Sequence, residues 1–137
     1  MKFLPLVCRV LLGLVFVFSG ANMLHPLNPA LPSPAGTPMG DWNTIMMVSN
    51  WMKVVGFFQL LGGLLVLVGR TAPLGLVILA PIIVNVLCFH ILLAGGKDIA
   101  IGVFVGVLEV LLVYFYRENF AGIFATNARP VVTARTI

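Results

Sequence analysis

The chain has 137 residues, of which 61% are hydrophobic and 9% charged, with a mean hydropathy of +1.13. That leaves too little polar surface to solvate a globule of this length, which excludes a soluble domain. The net charge of +4 comes from eight Lys and Arg placed singly; with no basic run and no aromatic interleaving, no nucleic-acid partner is expected, and the charges read as topology signals.

Four apolar stretches follow one another at residues 3–24, 50–69, 74–95 and 99–116. A segment of about 20 apolar residues at about 1.5 Å rise matches a hydrocarbon core of about 30 Å. The expected fold class is all-α, a membrane four-helix up-and-down bundle forming one integral membrane domain over residues 1–137. The first stretch is expected to be a span rather than a cleaved signal peptide. Arg9 interrupts what would be the apolar region, and the stretch exceeds the about 7 to 15 residues such regions need. Residues 25–49 hold Pro26, Pro29, Pro32, Pro34 and Pro38 with Gly36 and Gly40, which predicts an extended loop lying on the surface. The turns at 70–73 and 95–98 are tight, so the last three spans are expected to be antiparallel neighbours, followed by a tail over 117–137.

Orientation follows from the basic residues near span ends. Lys2, Arg9, Arg70, Arg117, Arg129 and Arg135 fall on one side, against Lys53 and Lys97 on the other. The positive-inside rule then places both termini in the cytoplasm and the Pro-rich loop outside. Trp42 and Trp51 fall at the outer boundary and Tyr114 and Tyr116 at the inner one, where amphipathic rings prefer to sit. The two cysteines, Cys8 and Cys88, lie at depths of about 8 and 21 Å from the inner end by the helical rise, too far apart to be paired. No C-x-x-C occurs, and both read as small apolar filler.

Polar residues within hydrocarbon carry the functional signal. By helical rise Glu109 lies about 15 Å, and Gln59 about 12 Å, from the outer ends of their spans, and Asn85 about 16 Å from the inner end of its own. All three fall near the midplane and are candidates for one interior polar cluster. Arg9, about 6 Å lower than Glu109 by the same measure, is expected to reach it in an ion pair, with a proton-handling or ligand-binding carboxylate as the other reading of Glu109. Gly102 and Gly106 share the face of Glu109 and predict a close helix approach there. Pro81 removes a backbone donor and predicts a kink, with Asn85 on the same face. His90 is rotated by about 140° from Asn85, which predicts a different neighbour and a hydrogen bond to a carbonyl or water. No cluster suggests a metal, and His25 lies beyond its span, which disfavours haem ligation by the two histidines.

At these residues the chain resembles the DoxX-like family of small integral membrane proteins. Arg9-Val-Leu-Leu-Gly13-Leu-Val-Phe16-Val-Phe-Ser-Gly20 is similar to its opening, and Gly62-Gly63-Leu-Leu-Val-Leu-Val-Gly69-Arg70 with Pro73 is similar to its second span. Ala80-Pro81-Ile-Ile-Val-Asn85-Val-Leu-Cys-Phe89-His90 resembles the family's Ala-Pro-x-x-x-Asn-x-x-x-Phe-His signature, and Leu108-Glu109 through Tyr114, Tyr116, Arg117 and Phe120 its fourth span and exit. The resemblance implies a four-helix bundle in a bacterial or archaeal inner membrane, associated with quinone-linked oxidase systems or redox partners. Relatives often carry Glu where this chain has Gln59, which leaves Glu109 as the midplane carboxylate.

The expected role is a small accessory subunit, without catalysis of its own, of a redox or quinone-linked membrane assembly. Its expected partners are the lipid bilayer and a redox protein or a second copy, and a quinone headgroup is the candidate ligand. The alternatives are a scaffolding bundle in which Arg9, Gln59, Asn85 and Glu109 only lock helix register, and, less favoured, a small-solute permease. A midplane cavity lined by Asn85 and Glu109 supports ligand binding, whereas a closed core supports the scaffold.

Overall fold

The computed structural model describes residues 3–26 and 35–122. Among them there is no strand. The helices are α1 (Leu4–Leu24), α2 (Pro38–Val48), α3 (Trp51–Val68), α4 (Ala72–Cys88), α5 (Ile99–Phe115) and the short α6 (Arg117–Phe120), and α4 runs on into a π-helical turn, Phe89–Leu93. Leu4–Leu24, Trp51–Val68 and Ala72–Leu93 are long and apolar enough to cross a membrane, and Ile99–Phe115 is an apolar helix of 17 residues. The chain is thus an all-α membrane protein. Its outward faces agree with an apolar solvent: Phe18, Val68, Leu74 and Val110 are 66, 65, 56 and 69% exposed, a degree of apolar display that water would penalise.

Helix α1 packs along α3, α3 along α4, α4 along α5, and α5 returns to α1. The closest seam is α1 against α3. A Cβ on Gly20 would lie 2.5 Å from the backbone nitrogen of Leu60, and one on Gly63 would lie 2.9 Å from the carbonyl oxygen of Gly13. Gly13 and Gly20 thus meet Gly63 and Gly56 backbone to backbone in antiparallel sense, where each helix repeats its glycine after seven residues. Gly75 lies equally close to Gly62 between α3 and α4. The approach expected at Gly102 and Gly106 is looser. There the neighbours are side-chain atoms of Ile83, Val86 and Leu87, at 3.1 Å or more. Those two glycines make room for α4 side chains without bringing two backbones together.

The two ends of the helix array are unlike. The terminal end carries the start of α1, the turn after α3, and α6; the cap end carries α2 and the turn after α4. The buried cluster of Cys8, Leu12, Phe16, Val66, Leu76, Leu79, Ile83, Val105, Leu108, Leu112 and Phe120 fills the terminal half.

At the cap end the structure corrects the expectation of an extended loop. Residues 27–34 lie outside the described residues, but α2 occupies the second half of the segment. The Thr37 hydroxyl accepts from the Gly40 amide at 3.1 Å, Pro38 stands in the first turn with its ring already set for helix, and Asp41 complements the positive end. Thr37-Pro38 followed by Asp41 in the first turn is a helix start, and the density of prolines upstream obscured it. Asn50, with φ 58°, joins α2 to α3 in the left-handed region, a conformation that Asn tolerates better than most side chains.

Candidate functional site

A cavity of about 530 Å³ lies in the cap half. It begins where Phe16 and Val105, both in the buried cluster, form its floor. Side-chain size explains its position. Along the inward stripe of α5 the residues toward the cap read Leu112, Leu108, Val105 and Gly102, and on α1 Leu12 and Phe16 give way to Ser19. The helices stay in register while their inward groups shrink, so close packing ends about halfway along.

Five segments wall the cavity. From α1 come Ser19, Asn22 and Met23, from α2 Trp42, Asn43 and Met46, and from α3 Met52, Val55 and Gln59. Ile82, Asn85, Phe89 and His90 of α4 and its π-helical turn face them. The roof is held by Trp42, whose ring lies 4.8 Å from that of Phe89 at a tilt of 47°. Sequence reasoning placed Trp42 only at a boundary, and Ser19, Asn22 and Asn43 were not singled out. The signal was present: Ser19 and Asn22 end α1 with two polar groups one turn apart.

The sequence-derived candidates divide into two groups. Gln59, Asn85 and His90 line the cavity, and Arg9 and Glu109 do not. Gln59 is 2% exposed and its Oε1 has no hydrogen-bond partner. His90, expected to face a different neighbour from Asn85, borders the same space, which reaches around the end of α4. Its Nδ1 lies 2.7 Å from the carbonyl oxygen of Lys97, so in the tautomer that donates there Nε2 is left as an acceptor. Pro81 stands inside α4, which continues as a helix on both sides of it.

Glu109 is 6% exposed, and neither carboxylate oxygen has a hydrogen-bond partner. It lies one turn below Val105 on the same face of α5. The expected ion pair with Arg9 is not formed. Arg9 turns the other way: Nη1 donates to the Tyr116 hydroxyl at 3.4 Å, and the guanidinium lies over Gly69, where any Cβ would collide with it. Side-chain direction accounts for this. Every Cα–Cβ bond in a helix tilts toward that helix's N-terminus, which for α1 is the terminal end and for α5 the cap end. The two side chains therefore diverge, and the vertical offset counted from backbone rise alone was too small. Arg9 gains the carbonyl end of α3, with its partial negative charge, and a phenol instead.

No hydrogen bond joins any two of Arg9, Gln59, Asn85, His90 and Glu109. Cys8 is buried and Cys88 exposed, both as free thiols. Among the described residues no group of three or more His, Cys, Asp or Glu is placed to hold a metal ion. The cavity wall is neutral: apart from His90 it has no titratable side chain. Such a site offers carboxamide, hydroxyl and imidazole groups to a small uncharged polar group, between aromatic and thioether surfaces.

No family model matches the chain, and no solved structure matches it. It is similar to the uncharacterized protein YwoB of Bacillus subtilis (strain 168), with 39% identity over 133 residues that cover 90% of this chain and 83% of the other. Identity at that level over nearly the whole length shows common descent, and the chain belongs to the same family as YwoB.

Proposed function

We propose that the protein is a DoxX-like four-span bundle of the inner membrane, with both termini cytoplasmic. In this reading it serves as a non-catalytic accessory subunit of a redox-linked assembly and holds the head of a small neutral molecule, such as a quinone, in the cap-end cavity. The observation that carries the reading is the cavity itself, with Gln59 almost fully buried against it and lacking a partner for Oε1. A buried polar atom without a hydrogen bond costs about 1 to 3 kcal/mol, and a ligand that completes the bond removes that cost. A carboxamide both donates and accepts, so Gln59 and Asn85 suit the carbonyl oxygens of a quinone as well as the hydroxyls of its reduced form.

Helix α5 supplies the fourth span, because 17 residues rise about 25 Å, at the lower end of what a bilayer requires. The six-to-two division of Lys and Arg sets the orientation. A register-locking scaffold has less support, since the polar residues invoked for it do not bond to one another. A permease is opposed by the filled terminal half, where Leu12, Val66, Leu79 and Leu112 have no exposed surface.

Binding is tested by quenching of Trp42 fluorescence in a Trp51→Phe variant, titrated in detergent with the chainless 2,3-dimethoxy-5-methyl-1,4-benzoquinone. Saturable quenching that Gln59→Leu weakens by about tenfold, the worth of one buried hydrogen bond, supports the reading; linear, collisional quenching in both proteins overturns it. Orientation is tested in a variant lacking Cys8 and Cys88. A thiol at Gly96 should react with an impermeant reagent in intact cells and one at Arg70 should not, and the reverse pattern would invert the topology.

A further inference from the structure

Outside the ring of helices, between α3 and α4, lies a second hollow of about 390 Å³. It is lined by Trp51, Val54, Val55, Phe58, Ile78, Pro81 and Ile82, with no carboxamide, hydroxyl or charged group among them. It begins where the tight Gly62–Gly75 seam ends and runs to Trp51, and Val54 and Phe58 are each 45% exposed on the lipid-facing side. Two of its lining residues, Val55 and Ile82, also line the cap-end cavity. The polar cavity and the apolar groove thus share these two side chains, one from each helix. Pro81 belongs to the groove wall, and having no N–H it presents no backbone donor there.

From this juxtaposition we infer that the site takes a chain-bearing amphiphile: a small neutral head seats in the cavity and a single isoprenoid or acyl chain passes between Val55 and Ile82 into the groove. The inference rests on the reading of the cavity as a head site. The chemistry changes at the right place, from carboxamides and imidazole on one side of the pair to hydrocarbon on the other. Trp42 packs on Phe89 at the cap end, and the groove offers the chain a sideways exit between α3 and α4. Transfer of a chain from bilayer to groove gains packing and no hydrophobic energy, because lipid is as apolar as the groove. The groove therefore acts on which molecules fit rather than on how tightly any apolar chain is held.

The experiment compares two quinone probes with the same head, the chainless 2,3-dimethoxy-5-methyl-1,4-benzoquinone and its decyl-chain analogue. Both are titrated against the full-length protein and against Val55→Phe and Ile82→Phe, which narrow the pass. Val55 and Ile82 also face the head, so each Phe variant is expected to weaken both probes, the decyl probe by about tenfold more than the chainless one. A third variant, Ile78→Ser at the far end of the groove, leaves the pass open and should weaken only the decyl probe, by about threefold, through the packing contacts it removes; it keeps the test sound should either Phe variant fold poorly. Equal responses of the two probes in all three variants would overturn the inference and leave the head site standing, with the groove then holding the chain of a separate lipid. Binding of neither probe to the unmodified protein would overturn the head site and the groove assignment together.

Discussion

The terminal and cap halves are built from helices of similar apolarity, yet one is filled and the other hollow. In the terminal half Leu12, Val66, Leu79 and Leu112 show no exposed surface and Leu76 shows 1%. In the cap half the inward positions are Ser19, Gln59, Asn85, Val86 and Gly102, and they surround a space of about 530 Å³. Hydropathy averaged over a whole helix does not separate these regions, because each long helix runs through both halves. What separates them is inward side-chain volume, which decides whether neighbouring helices meet through side chains or across a gap.

The largest expected effect sharpens the comparison by showing that the cap half is not loose throughout. Gly20 lies at the level of the cavity, yet its missing Cβ would meet backbone atoms of Gly56 and Leu60. Gly20→Val should force α1 from α3 and cost at least about 3 kcal/mol, at the upper end of overpacking penalties because backbone has no rotamer to yield. Unfolding in a graded detergent series measures it, and a loss under about 1 kcal/mol would mean that the seam is not tight.

Truncation provides the direct contrast. Leu79→Ala in the filled half should cost about 2 to 5 kcal/mol, whereas Val86→Ala on the cavity wall should cost under about 1 kcal/mol, because only the former opens a new void. Equal losses in the same assay would break the comparison. The roof contributes less than the Leu79 side chain. Trp42→Ala removes the ring contact with Phe89 and should cost about 0.5 to 1.5 kcal/mol, with faster hydrogen exchange confined to α2 and the π-helical turn.

The smallest effect concerns a coupling expected to be near zero. Arg9 and Glu109 point to opposite ends of the molecule, so Arg9→Met and Glu109→Gln should add within about 0.5 kcal/mol in a double-mutant cycle. A larger coupling would show that the two charges meet, and would place Glu109 in the terminal half's polar contacts with Arg9 and Tyr116 rather than beneath the cavity.

The corrections to the sequence reading share a cause. Depth is legible from a sequence, because each residue adds about 1.5 Å along a helix, and the depths of Gln59 and Asn85 do bring them to one space. Direction around and along the axis is not legible in that way. Arg9 and Glu109 were paired by depth, and Cβ tilt in antiparallel helices sends them apart. The α2 start at Thr37 and Pro38 was written in the chain, and the prolines before it masked a capping signal of three residues. The glycines show the same limit. Gly102 and Gly106 look no different in sequence from Gly13, Gly20, Gly56 and Gly63, and only the last four bring backbones into contact.

By itself the sequence determined that this is an all-helical membrane protein, where its apolar segments begin and end, and which polar residues lie deep within them. Those are local properties, set by hydropathy over about 20 residues and by helical rise. The tertiary structure alone decided that Gln59, Asn85 and His90 share a cavity, that Glu109 lies beneath it without a partner, and that Arg9 turns to Tyr116 and the end of α3. Those outcomes depend on which helix faces which and on how much inward volume each brings, and neither quantity is carried by any one segment of the chain.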